Sequence, residues 1–73
     1  MSLKASLSPR QTAVLGRLAL GDDRKTVAAR LKIEVRTVRF HVENARRRLG
    51  AVSTMAALRI FILSQHRPKW GRR

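Results

Sequence analysis

The clearest alternation of apolar and polar positions in the chain lies between residues 35 and 49. At about 100° per residue, the helical angle, its aliphatic residues fall on one stripe: Val38, Val42, Ala45 and Leu49. The opposite side carries Arg36, Arg39, Phe40, Glu43 and Arg47. The pattern predicts a helix over about residues 35–49 with one buried stripe and one exposed basic face.

Start and stop signals predict two helices before this one. Ser8 is suited to the N-cap of the first helix and Pro9 to its first helical position. Gln11 is placed to complete a capping box with Ser8, and Gly21 is predicted to end the helix. Asp23 is the predicted cap of the second helix. The apolar positions of the two helices are Val14, Leu15, Leu18 and Ala19, then Val27, Ala28 and Leu31. The short segment 33–35 is predicted as the turn before the third helix.

Gly16 interrupts the first predicted helix, at a cost of up to about 1 kcal/mol relative to alanine. Two interpretations stay open. The glycine allows another helix to approach closely, or it is tolerated on an exposed face.

A fourth helix is predicted over residues 55–65, with Ser53 or Thr54 as its cap. It is apolar on nearly every side, and Arg59 is its one charged residue. A helix of this kind is either buried from several sides or used for association. We favour a self-association surface, because a 73-residue chain is too short to wrap a helix completely.

Charge narrows the choice of partner. Lys and Arg number 17 against 4 acids, a formal net charge of +13, which indicates a polyanion: DNA, RNA or an anionic membrane surface. The hydrophobic fraction of 44% argues against a disordered basic tail. No uninterrupted apolar run is longer than Ile60–Leu63, far short of the roughly 20 residues of a membrane span. No membrane association is therefore expected.

Catalysis is not expected either. Cysteine is absent, and three of the four acids are placed at predicted helix starts, so the two histidines lack the partners of a metal or acid–base site. We expect no enzyme activity, no metal, no cofactor and no small-molecule ligand. The length indicates one domain, divided into a lead segment (1–7), a folded domain (8–65) and a flexible basic tail (66–73). The tail contains Trp70 and is expected to contact phosphates without sequence preference.

Two short helices joined by a tight turn, the second of them basic on its outer face, make a helix-turn-helix pattern. Its residues resemble those of the LuxR-type (GerE-type) DNA-binding domain over about residues 7–64. The matching segments are Leu7-Ser8-Pro9-Arg10, Val14-Leu15, Leu18-Ala19, Gly21, Lys25, Val27-Ala28, Leu31, Ile33, Thr37-Val38-Arg39, His41, Asn44 and Leu49-Gly50. The resemblance implies an all-α, four-helix domain of bacterial transcription regulators. It implies that the third helix enters the major groove and that the fourth makes a dimer contact.

Site residues follow from the resemblance and agree with side-chain chemistry. Arg39, Phe40 and Glu43 stand where the family reads bases. Arginine bonds two acceptors of guanine, glutamate accepts from cytosine, and phenylalanine packs on a thymine methyl. The expected backbone or flanking contacts are Lys25, Arg36, Thr37 and Arg47. The expected dimer interface consists of Ala57, Leu58, Phe61 and Ile62.

Simpler roles compete at several of these positions. Glu43 and Arg47 are i, i+4 neighbours that can pair with each other instead of with DNA. His41 lies at the edge of the buried stripe, which favours a structural role. Arg46 and Arg48 flank the exposed face and are expected to meet the DNA backbone or solvent rather than bases. Four positions depart from the family pattern. Gln11, Thr26 and Thr54 replace charged residues of the family's internal ion pairs, and Glu34 replaces a small hydroxyl residue as a weaker cap of the third helix.

The favoured function is a sequence-specific transcription regulator that binds double-stranded DNA as a homodimer in the bacterial cytoplasm, associated with the nucleoid. A stand-alone domain and the DNA-binding part of a longer chain both fit. One alternative is the promoter-recognition domain of a sigma factor, which segments 37–39 and 45–49 also resemble. Another is a protein-interaction module that docks through the fourth helix.

Overall fold

The computed structural model describes residues 7–65, and this part of the chain consists of four α-helices without a strand. They are α1 (Pro9–Ala19), α2 (Arg24–Leu31), α3 (Val35–Leu49) and α4 (Thr54–Gln65). The predicted all-α, four-helix class is confirmed, and α3 has its predicted bounds. Most of the predicted lead segment and the whole predicted tail, with Trp70, lie outside the described residues.

The start of α1 is the predicted capping box. Ser8 Oγ accepts a hydrogen bond from the Gln11 amide at 3.1 Å, and Gln11 Oε1 accepts one from the Ser8 amide at 3.0 Å. Two amide donors that have no partner inside the helix are satisfied in this way. Gln11 is itself buried, so the box also fixes how α1 enters the core.

Two aspartates organise the turn between α1 and α2. Asp23 Oδ1 accepts a hydrogen bond from the Thr26 amide at 2.8 Å, which confirms Asp23 as the cap. The Thr26 hydrogen bonds lower the pKa of Asp23 below its ordinary value. Asp22 Oδ2 lies 3.3 Å from Arg30 Nε and 3.8 Å from Arg17 Nη1. Its carboxylate therefore links the end of α1 to the end of α2.

The turn between α2 and α3 depends on Lys32, which has a left-handed backbone with φ of 58°. This conformation lets the Ile33 amide reach back to the Ala28 carbonyl oxygen at 3.0 Å and close the end of α2. Glu34 is the N-cap of α3 and makes no side-chain capping bond, as its type predicts. The helix begins at Val35, the last residue of the predicted turn.

Helix α3 packs against each of the other three helices, and its apolar stripe is divided between two clusters. Val38 and Val42 lie in a cluster between α1, α2 and α3, with Val14, Val27 and Ala28. Ala45 lies in a second cluster between α1, α3 and α4, with Leu15 and Phe61. Leu7 and Leu49 pack against this second cluster. The stripe thus fixes α3 on three neighbours and leaves its opposite face outward.

Helix α4 is buried on one side only. Ser53 Oγ caps it by accepting a hydrogen bond from the Ala56 amide at 3.1 Å. Ala57 and Phe61 are buried. Met55, Ile62 and Leu63 are exposed. The helix is therefore part of the core and also presents an apolar surface.

Candidate nucleic-acid interface

The outward face of α3 is open along its length. The Arg36 and Arg47 side chains are 87% and 70% exposed, Arg39 is exposed, and Phe40 is 63% exposed although it is aromatic. The buried stripe leaves these side chains no place in the core. An exposed aromatic ring among arginines is typical of a surface that binds nucleic acid, because the cations contact phosphates and the ring is covered when the complex forms.

The ring of Phe40 packs against the ring of His41. The two ring centroids are 5.7 Å apart and the planes meet at 64°, an edge-to-face arrangement. His41 is half-buried. Burial lowers its pKa, and the positive charge of Arg10 lowers it further. A neutral histidine that holds an aromatic neighbour fits the structural role predicted for it.

Glu43 is the acid in the middle of this face, and two arginines of its own helix contact it. Arg46 donates to both carboxylate oxygens, from Nε to Oε1 at 3.1 Å and from Nη2 to Oε2. Arg47 Nε lies 3.4 Å from Oε2, which is the predicted i, i+4 pair. These contacts, Arg46 first, lower the pKa of Glu43. Glu43 is therefore ionised at neutral pH and is shared between two cations.

Arg46 makes more contacts within the protein than its place beside the exposed face predicts. Its Nη1 also donates to the Ala51 carbonyl oxygen at 2.7 Å, and its side chain is only 26% exposed. Contact of Arg46 with the DNA backbone or solvent stays a prediction. The bidentate pair with Glu43 was not predicted, although the i, i+3 spacing of the two residues permits it.

Two of the expected contacts with the DNA backbone, Lys25 and Thr37, lie in the first turns of α2 and α3. Lys25 is the second residue of α2 and is exposed. Thr37 is the third residue of α3 and is half-buried. Amide groups at a helix start favour phosphate oxygens. Arg36 also lies in the first turn of α3, and its Nε lies 3.4 Å from Glu34 Oε1.

The four expected dimer residues do not share one surface. Ala57 is fully buried and Phe61 is 6% exposed, both in the core of the chain itself. Leu58 is half-buried and Ile62 is exposed. An open apolar groove runs beside them along α1 and α4, lined by Leu18, Ala19, Met55, Leu58, Arg59, Ile62 and Leu63. The exposed apolar side of α4 consists of Ile62, which the sequence prediction included, and of Met55 and Leu63, which it omitted.

Other kinds of site find no support in the described part of the chain. Residues 7–65 contain no group of three or more His, Cys, Asp or Glu side chains placed to hold a metal ion. Among the same residues, none of the helices has both the length and the apolar character needed to cross a bilayer.

Comparison with known families gives a match that covers most of the chain. The model of the family described as bacterial regulatory proteins, luxR family (GerE), matches residues 5–61. The matched range includes all of α1, α2 and α3 and most of α4. No curated protein and no solved structure matches the chain significantly.

Proposed function

Since the chain belongs to the luxR family of bacterial regulatory proteins, a family of DNA-binding helix-turn-helix regulators, we propose that it reads a specific DNA sequence with α3 in the major groove. The supporting observation is the outward face of α3, where arginines and an exposed phenylalanine lie opposite a fully packed stripe. B-DNA's major groove is wide enough to admit an α-helix. The family match gives no support to the sigma-factor or protein-docking alternatives.

We assign base contacts to Arg39, Phe40 and Glu43. Arg39 is exposed at the centre of the face, where its planar group can bond N7 and O6 of one guanine. Phe40 offers a flat apolar surface to a thymine methyl. Both oxygens of the Glu43 carboxylate accept from Arg46. Because a carboxylate has about four lone-pair positions, Glu43 can also accept from the amino group of a cytosine.

Phosphate contacts are assigned to Lys25, Arg36, Thr37 and Arg47. Such contacts fix the register of the protein on the duplex and carry no sequence information themselves. Lys25 comes from α2, which packs on α3. We expect α2 to lie across the backbone beside the groove that α3 occupies, as in other helix-turn-helix proteins.

We further propose that two copies bind together, through the exposed residues of α4. Met55, Ile62 and Leu63 are 74%, 45% and 67% exposed, and apolar surface of this kind commonly marks an association site. Leu58 lies half-buried beside them. Ala57 and Phe61 contribute by holding α4 on the core. A regulator of this kind acts on the chromosome, so we propose the bacterial cytoplasm as its location.

Selection from random duplex DNA by the purified chain, in about 150 mM salt to weaken indiscriminate attraction, tests this function. We expect enrichment of a motif with two-fold symmetry. Its half-sites should lie about 10 bp apart, or a multiple of that distance, because two related helices must enter the same side of the duplex. Recovery of duplexes without a common motif would contradict sequence reading by α3.

A further inference from the structure

The contacts of Glu43 with Arg46 and Arg47 point to a role beyond base reading. We propose that Glu43 is a positioning residue that restrains these two arginines and thereby limits binding to DNA of arbitrary sequence. The inference rests on the proposed placement of α3 at DNA, and it adds a determinant of selectivity to that function.

Arg46 is held from two directions. Its Nε and Nη2 donate to the Glu43 carboxylate, and its Nη1 donates to the Ala51 carbonyl oxygen at 2.7 Å. The bidentate pair is a strong, charge-assisted arrangement. The carbonyl contact directs the guanidinium toward the segment that joins α3 to α4. A guanidinium held in this way has little freedom to reach a phosphate.

Arg47 is restrained less. One contact of 3.4 Å joins its Nε to Glu43, and its side chain is 70% exposed compared with 26% for Arg46. Exposed single pairs of this kind are weak, so Arg47 can still turn toward DNA. Glu43 therefore gives two successive arginines different roles. Arg46 becomes part of the fold, and Arg47 keeps a partly compensated charge at the interface.

The electrostatic consequence concerns selectivity. A chain with a net charge of +13 is attracted to any duplex. Each additional phosphate contact steepens the slope of log K against log salt concentration by about 0.9. At about 0.15 M salt, such a contact therefore strengthens binding roughly fivefold compared with its effect at 1 M salt. This gain is the same for every sequence. Because Arg46 is kept out of the phosphate contacts, the specific base contacts make up a larger share of the affinity.

The test compares E43Q with E34Q by anisotropy titration on a random duplex and on the selected duplex, at several salt concentrations. Both variants remove one negative charge from the same helix region. Glu34 Oε1, however, lies 3.4 Å from Arg36 Nε, and the Glu34 and Arg36 side chains are 76% and 87% exposed. E43Q should bind the random duplex about fivefold more tightly, with a salt slope steeper by about 0.9. E34Q should change both quantities much less.

Three results would overturn the inference. An equal effect of E34Q would mean that only net charge matters. If E43Q binds the random duplex with unchanged affinity, the substitution does not release the Arg46 guanidinium for phosphate contact. Weaker binding of E43Q to the selected duplex alone would leave Glu43 as a base reader only. Failure of the wild-type chain to prefer the selected duplex is a separate result, which contradicts the proposed function.

A measurement on the wild-type chain does not depend on the folding of a variant. The Nε–H signals of Arg46 and Arg47 are followed by ¹⁵N NMR while random duplex is added. The Arg47 signal should shift and the Arg46 signal should stay in place, since Arg46 keeps its bonds to Glu43 and Ala51. A shift of the Arg46 signal as large as that of Arg47 would contradict the proposal.

Discussion

Gly16 of α1 faces the ring of Phe61 in α4, and a Cβ atom added to Gly16 would lie 4.0 Å from Phe61 Cζ. That distance is an ordinary van der Waals contact. The glycine is therefore not needed to bring the two helices together, because a methyl group fits between them. Of the two interpretations open from the sequence, the structure favours tolerance, at a site that packs loosely against α4 and not on an open face.

We expect G16A to stabilise the domain. Alanine in a helix interior is favoured over glycine by about 0.5–1 kcal/mol, and the added methyl gains contact with Phe61. For a domain of this size the midpoint of thermal unfolding should rise by roughly 2–8 °C. Circular dichroism melts of both chains measure the shift. A lower midpoint for G16A would mean that α4 must move to admit the methyl group.

Lys32 is a second position where stability can be gained. Its φ of 58° lies in the left-handed region, which costs an L-residue roughly 1–2 kcal/mol and glycine nothing. After the larger entropy of glycine in the unfolded chain is subtracted, K32G should stabilise the domain by up to about 1 kcal/mol. Urea unfolding of both chains measures this difference. K32A keeps the Cβ and removes the same charge, so it should give no such gain.

Arg39 and Lys25 should differ in how they affect DNA binding. R39A should weaken binding to the selected duplex by about 1–3 kcal/mol and flatten the preference at one base pair. K25A should weaken binding to every duplex alike and reduce the salt slope by about 1. Titrations with single-base variants of the selected site measure both effects. An unchanged base preference for R39A would remove Arg39 from the base contacts.

Association through α4 is tested by I62E. A carboxylate at this exposed apolar position opposes burial against a second copy. Cooperative binding to a duplex with two half-sites should fall at least about tenfold, equivalent to 1.4 kcal/mol. Binding to one half-site should be retained. V52E is the matched control, since Val52 is 91% exposed and precedes α4. An equal loss in V52E would assign the effect to charge.

Acid should destabilise the chain partly through Glu43. Its pKa is lower in the folded state because Arg46 and Arg47 stabilise the carboxylate. The unfolded chain therefore binds the proton first as pH falls, and the stabilisation present above the ordinary pKa of about 4.5 is lost as pH drops through the folded value. The midpoints of unfolding at neutral and acid pH measure this loss of stability. The wild-type chain should lose more stability than E43Q over this interval, and equal losses would contradict the pair.

Local signals were sufficient for most of the fold. The Ser8–Gln11 box, the Asp23 cap and the stripe from Val38 to Leu49 each depend on residues a few positions apart. Capping bonds and helical periodicity act over that range. The bounds of α3 and the class of the domain followed from them. The exposed face of α3, and with it the candidate interface, followed because it is the complement of the buried stripe.

The tertiary structure decided what the local pattern left open. An almost wholly apolar helix has no preferred side in the sequence, so only packing against α1 and α3 buried Ala57 and Phe61 and left Met55, Ile62 and Leu63 outside. Arg46 bonds both Glu43 and the Ala51 carbonyl oxygen. The second bond depends on where the chain after Gly50 places that oxygen. Short-range interactions specify the four helices and the basic face of α3, so the amino-acid sequence was sufficient to predict both. Packing between distant segments determined which apolar side of α4 stays exposed. The path of the chain after Gly50 determined that Arg46 is withdrawn into the fold.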